Sequence, residues 1–292
     1  KVDLNNKSYC LKKVYYDEPN LLFVYSAMEW LYRNGINVPK LLPSKDKNRF
    51  VYFNNMLFIL TPWIEGSKCN FDSISDLEIS IKTLAKLHKT TKNFVPIEGS
   101  AKRVGLEDYH TSANKHFNEI LDNANIANNY KDKFSKLFLD NLSNNIELAK
   151  LSLQISSSIK NNNLTTSLCH GDYVNKNIII RDNEVWIIDF DKCRYEFSAH
   201  DISYFLRRLL KRPNTNWNTA LTINILNAYK KVNDLNYDDL KYILAYLAFP
   251  QKYWKISRDY YKNIKKCNKN SFISLFEKGL ERSSAQLDYI NN

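Results

Sequence analysis

The chain has 292 residues, 44% of them hydrophobic and 13% aromatic, with a formal net charge of +11. That is enough material for one large domain or two modest ones with a real core. No apolar run approaches the ~20 residues that a membrane-spanning helix needs, and no basic-then-apolar leader is present, so neither a membrane span nor a secretion signal is expected. The five cysteines (10, 69, 169, 193 and 267) are scattered and form no Cys-x-x-Cys. This argues against a disulfide framework or structural zinc and points to synthesis in a reducing, cytoplasmic compartment. The basic surplus attracts anions in general. There is no nucleic-acid motif, and Lys-rich KNIKKCNK at 262–269 reads as a solvated helix face. The first residue is Lys rather than Met, which leads us to expect a preceding segment.

In chain order, SYCLKKV at 8–14 alternates like a strand. A helix is predicted over 18–34: Asp17 can cap it, Pro19 suits its first turn, and Leu21, Val24, Met28 and Leu31 recur at helical spacing. Gly35 ends it. RFVYF and MLFILTPW read as a hairpin around Asn54-Asn55, and IEGS is a break. Further helices are predicted over 76–92, 113–125, 130–160, 198–211, 217–231, 237–248, 250–262 and 271–290, with the polar KNNN at 160–163 as a turn. The layout is α+β: a small β-rich part, then a large helical part with a hairpin embedded in it.

That hairpin lies in LCHGDYVNKNIIIRDNEVWIIDFDKC, residues 168–193, where Asp182-Asn183 separates two apolar runs. His170, Asp172 and Asn177 have the spacing H-x-D-x-x-x-x-N. In a kinase catalytic loop that Asp accepts the proton of an attacking hydroxyl and that Asn holds magnesium. Asp189 ends the following strand, where a tight hairpin returns it beside Asn177. An amide oxygen and a carboxylate are the hard ligands magnesium prefers. Taken singly these are ordinary turn residues; their joint spacing points to a phosphotransfer site. Asp191 is open between a metal carboxylate and a turn residue. His170 reads as a structural partner of the loop backbone, and Asp201 as a helix cap and loop anchor.

The same segments resemble the aminoglycoside phosphotransferase and choline kinase superfamily, whose fold is protein-kinase-like. HGDYVNKN and IIDFD carry that likeness. DFDKC and FPQKYW suggest its CotS-type spore coat branch. With YCLKKV, LAKLHKTTKNF and WIIDFDKCRYEFSAHDISYFLRRLLKR, the resemblance covers residues 8 to about 263. It implies a bilobal fold, with an N-lobe at 1–64 that lacks the first strand and phosphate loop, and a C-lobe at 65–292. It implies ATP and magnesium as cofactors, Asp172 as base, and Asn177 and Asp189 as metal ligands. Lys12 would pair with the α- and β-phosphates; Cys10 shares its face of the strand, and Lys13 points the other way. Backbone groups of Thr61 and Trp63 would meet the adenine edge, with Trp63 open to a role as inter-lobe core.

Two departures stand out. None of the six glycines forms a phosphate loop. The early helix carries Val24 or Ser26 where the family often places an acid, with Glu29 and Glu18 only nearby, so Lys12 has no clear partner. Tyr246, Phe249, Tyr253, Trp254, Tyr260 and Tyr261 are open between an aromatic box for a cationic acceptor and ordinary core. The sequence therefore supports a spore-coat-associated, ATP/Mg-dependent phosphotransferase acting on a small-molecule hydroxyl, synthesised in the cytoplasm. The alternative is a weak or inactive kinase-fold component of the coat. Expected partners are an unidentified small acceptor and other coat proteins, without specific nucleic acid. An anionic-polymer binder rests on charge alone.

Overall fold

A computed structural model describes residues 1–292. In chain order the elements are β1 (Val2–Leu4), β2 (Lys7–Val14), α1 (Glu18–Arg33), β3 (Val51–Phe53), β4 (Met56–Pro62), β5 (Ser67–Lys68), α2 (Ile74–Thr90), α3 (Tyr109–Tyr130), α4 (Lys133–Asp140), α5 (Leu142–Ser156), β6 (Thr166–Cys169), β7 (Ile178–Arg181), β8 (Glu184–Ile187), β9 (Arg194–Phe197), α6 (Ser198–Leu210), α7 (Thr219–Lys230), α8 (Tyr237–Ala248), α9 (Gln251–Lys262), α10 (Lys269–Leu280) and α11 (Ser283–Asn291). They form two compact units. The first comprises Lys1–Leu106, Thr165–Phe205 and Thr222–Leu235; the second comprises Glu107–Leu164, Leu206–Leu221 and Asn236–Asn292.

In the first unit, β1-β2-β4-β3 form an antiparallel sheet, with Lys12 opposite Ile59 and Cys10 opposite Thr61. Its two hairpins turn on Asn5-Asn6 and Asn54-Asn55, and the β7–β8 hairpin turns on Asp182-Asn183. All six turn residues have positive φ, between 48° and 60°. That is the type I′ geometry that fits the right-handed twist of paired strands, and Asn and Asp tolerate it best after Gly. Strand β1 was not legible: all three of its residues are exposed, so it has no in-out alternation. Helix α1 begins as its sequence predicts. Asp17 accepts the Asn20 backbone N–H at 3.1 Å, and Pro19 sits in the first turn. At its far end Gly35 takes φ +70°, and the Ile36 N–H reaches back to the Leu31 carbonyl at 3.0 Å.

The second unit is helical, and three sequence expectations need correction there. The helix expected over 113–125 runs over Tyr109–Tyr130, because Asp108 caps it upstream and Lys131 stops it in the left-handed region. The single helix expected over 130–160 is two, α4 and α5. Asp132 caps the first, and Asn141 is both its C-cap and the start of the second. The helix expected over 271–290 likewise breaks at Glu281-Arg282 into α10 and α11. Side-chain caps at Asp108 and Asp132 mark the first two cases, no side-chain cap marks the Glu281-Arg282 break, and helical periodicity runs through a one- or two-residue break almost unchanged.

The core of this unit is aromatic. Phe134 stacks on Tyr260 with ring centroids 3.8 Å apart, Phe138 stacks on Tyr253 at 4.7 Å, and Phe276 meets Phe134 at 4.8 Å. Phe134, Phe138, Tyr260 and Phe276 are fully buried. Phe276→Ala should therefore cost roughly 3–5 kcal/mol in chemical denaturation. Phe53→Ala, in a β3 side chain that is 64% exposed, should stay within about 0.5 kcal/mol.

Candidate active site

The site is assembled within the first unit, around two loops. The first follows β6 and carries His170, Gly171 and Asp172; the second follows β8 and carries Asp189, Phe190 and Asp191. Asp201, in the first turn of α6, fixes the first loop from beneath. Its carboxylate accepts the His170 backbone N–H at 2.6 Å and the Gly171 N–H at 2.9 Å. His88 of α2 lies 3.4 Å away through Nε2. The Tyr229 hydroxyl accepts from Asn233 and lies 2.8 Å from His88 Nδ1, so both ring nitrogens of His88 have partners. Burial alone would raise the Asp201 pKa, but His88 and the neighbouring histidines outweigh it and bring it to about 2. Asp201 therefore anchors the loop as an ion.

His170 is a backbone partner, not a base. Its Nε2 donates to the Ile188 carbonyl at 3.0 Å, and its Nδ1 accepts the Asp172 N–H at 3.2 Å. Burial is the leading cause of its lowered pKa, which favours the neutral ring. A single imidazole thus ties both loops together. Gly171, at φ +75°, makes their contact possible: a Cβ there would lie 2.6 Å from the Lys192 carbonyl oxygen.

Asp172 is buried and faces three side chains that sequence reasoning missed. The Tyr204 hydroxyl donates to its Oδ1 at 3.2 Å. Lys192 and Lys176 approach Oδ2 at 3.4 and 3.7 Å. Burial would raise its pKa, but the two ammonium groups prevail and lower it. Lys176 follows Asp172 by four residues and Lys192 follows Asp191 directly, so spacing was a usable signal for both. Nothing in the sequence pointed to Tyr204.

Asn177 is buried one turn further on. Its Nδ2 donates to the Asp172 carbonyl at 2.9 Å, which leaves Oδ1 as the atom for a cation. Its own carbonyl accepts the Ile188 N–H at 3.0 Å and closes the β7–β8 hairpin. The next residue, Asp189, sits in the left-handed region at φ 68°, a conformation uncommon outside Gly, Asn and Asp and often found at functional sites. There its Oδ1 receives Lys12 Nζ at 2.5 Å, while Asp191 Oδ2 receives the same ammonium at 2.7 Å. Burial would depress Lys12, and the two carboxylates together raise it above its ordinary value. Asp191 is thus a charged partner of Lys12. It also accepts from the Tyr16 hydroxyl at 3.1 Å, and Arg103 holds its carbonyl.

No glutamate meets Lys12: Glu29 pairs with Arg33 at 2.9 Å and Glu18 accepts from Tyr52. Ser26, at the position where an acid was sought, bonds the Leu22 carbonyl and the Ile97 N–H instead. Thr61 is buried on β4. Trp63 is 40% exposed, which removes it from any core role, and its backbone N–H is taken by the Ser8 carbonyl at 3.0 Å. Of the two readings left open for the C-terminal aromatics, packed core holds for most of them. Phe249, Tyr253, Trp254 and Tyr260 are buried, and the hydroxyls of Tyr253 and Tyr260 go to the Phe138 carbonyl and to Asp132. His88, Cys169 and Asp201 cluster closely enough to ligate a metal. Both His88 nitrogens and the Asp201 carboxylate are already committed, however, and burial holds the Cys169 thiol well above its usual pKa.

Residues 2–240 match the family model described as the phosphotransferase enzyme family. The chain belongs to this family. Among curated relatives, spore coat protein S of Bacillus subtilis (strain 168) is 20% identical over 263 residues, covering 88% of this chain and 75% of that protein. It supports the CotS-type resemblance read from DFDKC and FPQKYW. An aminoglycoside phosphotransferase from Alicyclobacillus acidocaldarius superposes with a TM-score of 0.83 at 18% identity, over 99% of this chain and 87% of that one. The amicoumacin kinase hAmiN in complex with AMP-PNP, Ca2+ and Ami follows at 0.65 and 16%, over 95% and 82%. The protein-kinase-like α+β fold is therefore that of this phosphotransferase, as the sequence implied. No helix is long and apolar enough to cross a membrane.

Gly171 and Gly99 both hold positive φ, but only Gly171 faces backbone, since the nearest atom to a Cβ at Gly99 is a Leu22 methyl at 3.5 Å. Gly171→Ala should lose about 1–3 kcal/mol more than Gly99→Ala in urea unfolding.

Proposed function

We propose that this phosphotransferase uses ATP and magnesium to phosphorylate the hydroxyl of a small molecule, with Asp172 as the base. One observation carries this reading: a continuous run of contacts links Lys12 to Asp189, through Ile188 to Asn177, and on to Asp172. The residues fit magnesium, because Asn177 Oδ1 and Asp189 are hard oxygen donors and the Asp189 carboxylate already receives a cation, the Lys12 ammonium. When bound, the metal would neutralise charge on the transferring phosphate.

The remaining work falls to the chain's own residues. Asp172, kept ionised by Lys176 and Lys192, accepts the acceptor hydroxyl's proton at Oδ2 or Oδ1 as the oxygen attacks. Tyr204 fixes the carboxylate's rotation. Lys12, once released from Asp189, pairs with the α- and β-phosphates. Thr61 and Trp63 border the adenine; with the Trp63 N–H already committed, carbonyl oxygens are the groups to consider there. Rate comes mostly from positioning and preorganised charge. We retain the division near residue 64 into a nucleotide-side lobe, 1–64, and a C-lobe, 65–292, as part of this reading. The named relative supports a place in the spore coat, among coat proteins.

A second reading, a structural coat component with little or no activity, is favoured by one observation. Lys12 pairs with the would-be metal carboxylates and has no helix glutamate to orient it.

Asp172→Asn should bind ATP with magnesium as the parent does and lose transfer by 100-fold or more (about 2.7 kcal/mol or more). Asp189→Ala should abolish magnesium-dependent ATP binding in calorimetry. Parent protein that binds no nucleotide would favour the structural reading. Because the Asp172 pKa is lowered, the base is ionised above the ordinary carboxylate range. The acid limb of the rate profile should therefore fall below the usual Asp value of about 3.9, and Lys192→Met should move it upward.

A further inference from the structure

Lys12 is held by two carboxylates of one loop, and the two are themselves held very differently. Asp189 gives Oδ1 to Lys12 at 2.5 Å, and its side chain has no other hydrogen bond or ion pair. Asp191 gives Oδ2 to Lys12 at 2.7 Å, while its Oδ1 accepts from the Tyr16 hydroxyl at 3.1 Å. Lys12 and Tyr16 belong to the same stretch of chain, β2 and its exit, so a single carboxylate clasps that stretch at two points. The backbone of Asp191 is fixed as well, because Arg103 donates to its carbonyl. Arg103 is anchored in turn. Its own carbonyl accepts the Tyr195 N–H at 2.9 Å. Its guanidinium lies 5.6 Å from the centre of the Tyr16 ring and 5.8 Å from that of fully buried Phe23.

In protein kinases a glutamate of the early helix pairs with the strand lysine that meets the nucleotide phosphates. Helix α1 offers no such residue: Glu29 and Glu18 have other partners, and Ser26 is bonded to backbone. An ammonium on a long flexible stem needs a fixed counter-charge to keep one direction. Of the two carboxylates on Lys12, Asp191 is the braced one and Asp189 the one free to turn to another cation. When a cation occupies Asp189, Asp191 stays.

We propose that Asp191 is the positioning residue that orients Lys12 in this chain, in place of a helix glutamate, and that Tyr16 and Arg103 keep it in position. That Lys12 is thereby aimed at nucleotide phosphates rests on the phosphotransfer reading; the pair itself does not. The arrangement puts the guide of the lysine and the candidate metal carboxylate on one loop, with only Phe190 between them. The direction of Lys12 therefore follows that loop and not the placement of α1, so a shift of the helix is not a switch for this site. The lack of a helix glutamate then ceases to argue for an inactive protein.

Two measurements test this, each with a thermal melt beside it to show that the variants are folded. The first is carbodiimide coupling, which joins amine and carboxylate groups in contact, read by peptide mapping on the full chain without metal or nucleotide. Asp189→Asn is the informative background, because Asn tolerates the left-handed conformation at that position and removes the competing carboxylate. Lys12 should still couple to Asp191 there, and Tyr16→Phe in the same background should lower the yield. The second is calorimetry with magnesium and ATP. Asp191→Asn should weaken binding about tenfold, as expected for losing a charge-assisted bond. Asp191→Glu, which keeps the charge, should recover part of that loss. Lys13→Met, on the opposite face of β2, should bind as the parent does. Absence of Lys12–Asp191 coupling in Asp189→Asn overturns the proposal. So does ATP binding by Asp191→Asn at the parent level, or weakening by Asp191→Glu equal to that by Asp191→Asn. A parent that binds no nucleotide overturns the phosphotransfer reading instead, and the coupling experiment then decides the Lys12–Asp191 pair by itself.

Discussion

The geometry of the site depends on one buried carboxylate. Asp201 receives two consecutive backbone N–H groups, those of His170 and Gly171, and carries His88 on the same oxygen that takes the His170 N–H. A loop of that kind cannot satisfy its own donors, and an unpaired buried N–H is costly. By taking both, Asp201 sets the course of the backbone immediately before Asp172. His170 then passes the constraint on: its ring joins the Asp172 N–H to the Ile188 carbonyl. A single ion on α6 thus positions Asp172 directly and the Asp189 loop at one remove. The cost of burying it is met by hydrogen bonds and the histidine cluster, as its low pKa reflects.

Much of this was legible because the determinants are local. Three two-residue turns of Asn and Asp announced hairpins, and two of them were read. The third, Asn5-Asn6, is chemically the same, but its first strand has no buried face to produce alternation. The spacing of His170, Asp172 and Asn177 and the hairpin length led us to expect Asp189 beside Asn177; the fold links His170, Asp172 and Asn177 by hydrogen bonds and pairs Asn177 with Ile188, the neighbour of Asp189. The helix breaks at Lys131-Asp132 and Asn141 were hidden, since amphipathic spacing continues across them. The partners of Lys12 were hidden for a different reason. Asp191 was open in sequence between a metal-site carboxylate and a turn residue, and the fold brings it and Asp189, which sits in the left-handed region, onto one ammonium.

The C-terminal aromatics show the limit of composition as a guide. Six tyrosine, tryptophan and phenylalanine residues close together could line a pocket or fill a core. Burial decides it for four of them, and hydroxyl partners such as Asp132 and the Phe138 carbonyl show how the polar tips are accommodated. Tyr246 differs, because its face carries Arg207. The positive charge that the whole chain shows in bulk is therefore not only solvated surface; part of it is held in a fixed place.

The Lys12 ion pair bears on how a metal and a nucleotide would enter the proposed site together. An ammonium shared between Asp189 and Asp191 competes with any divalent cation that would use the Asp189 carboxylate. A lysine displaced from Asp189 keeps Asp191 as a partner and gains room to meet a phosphate. Cation and anion thus assist each other's entry by linkage, each removing the competitor of the other. A divalent ion arriving alone meets two carboxylates whose charge one ammonium only partly offsets.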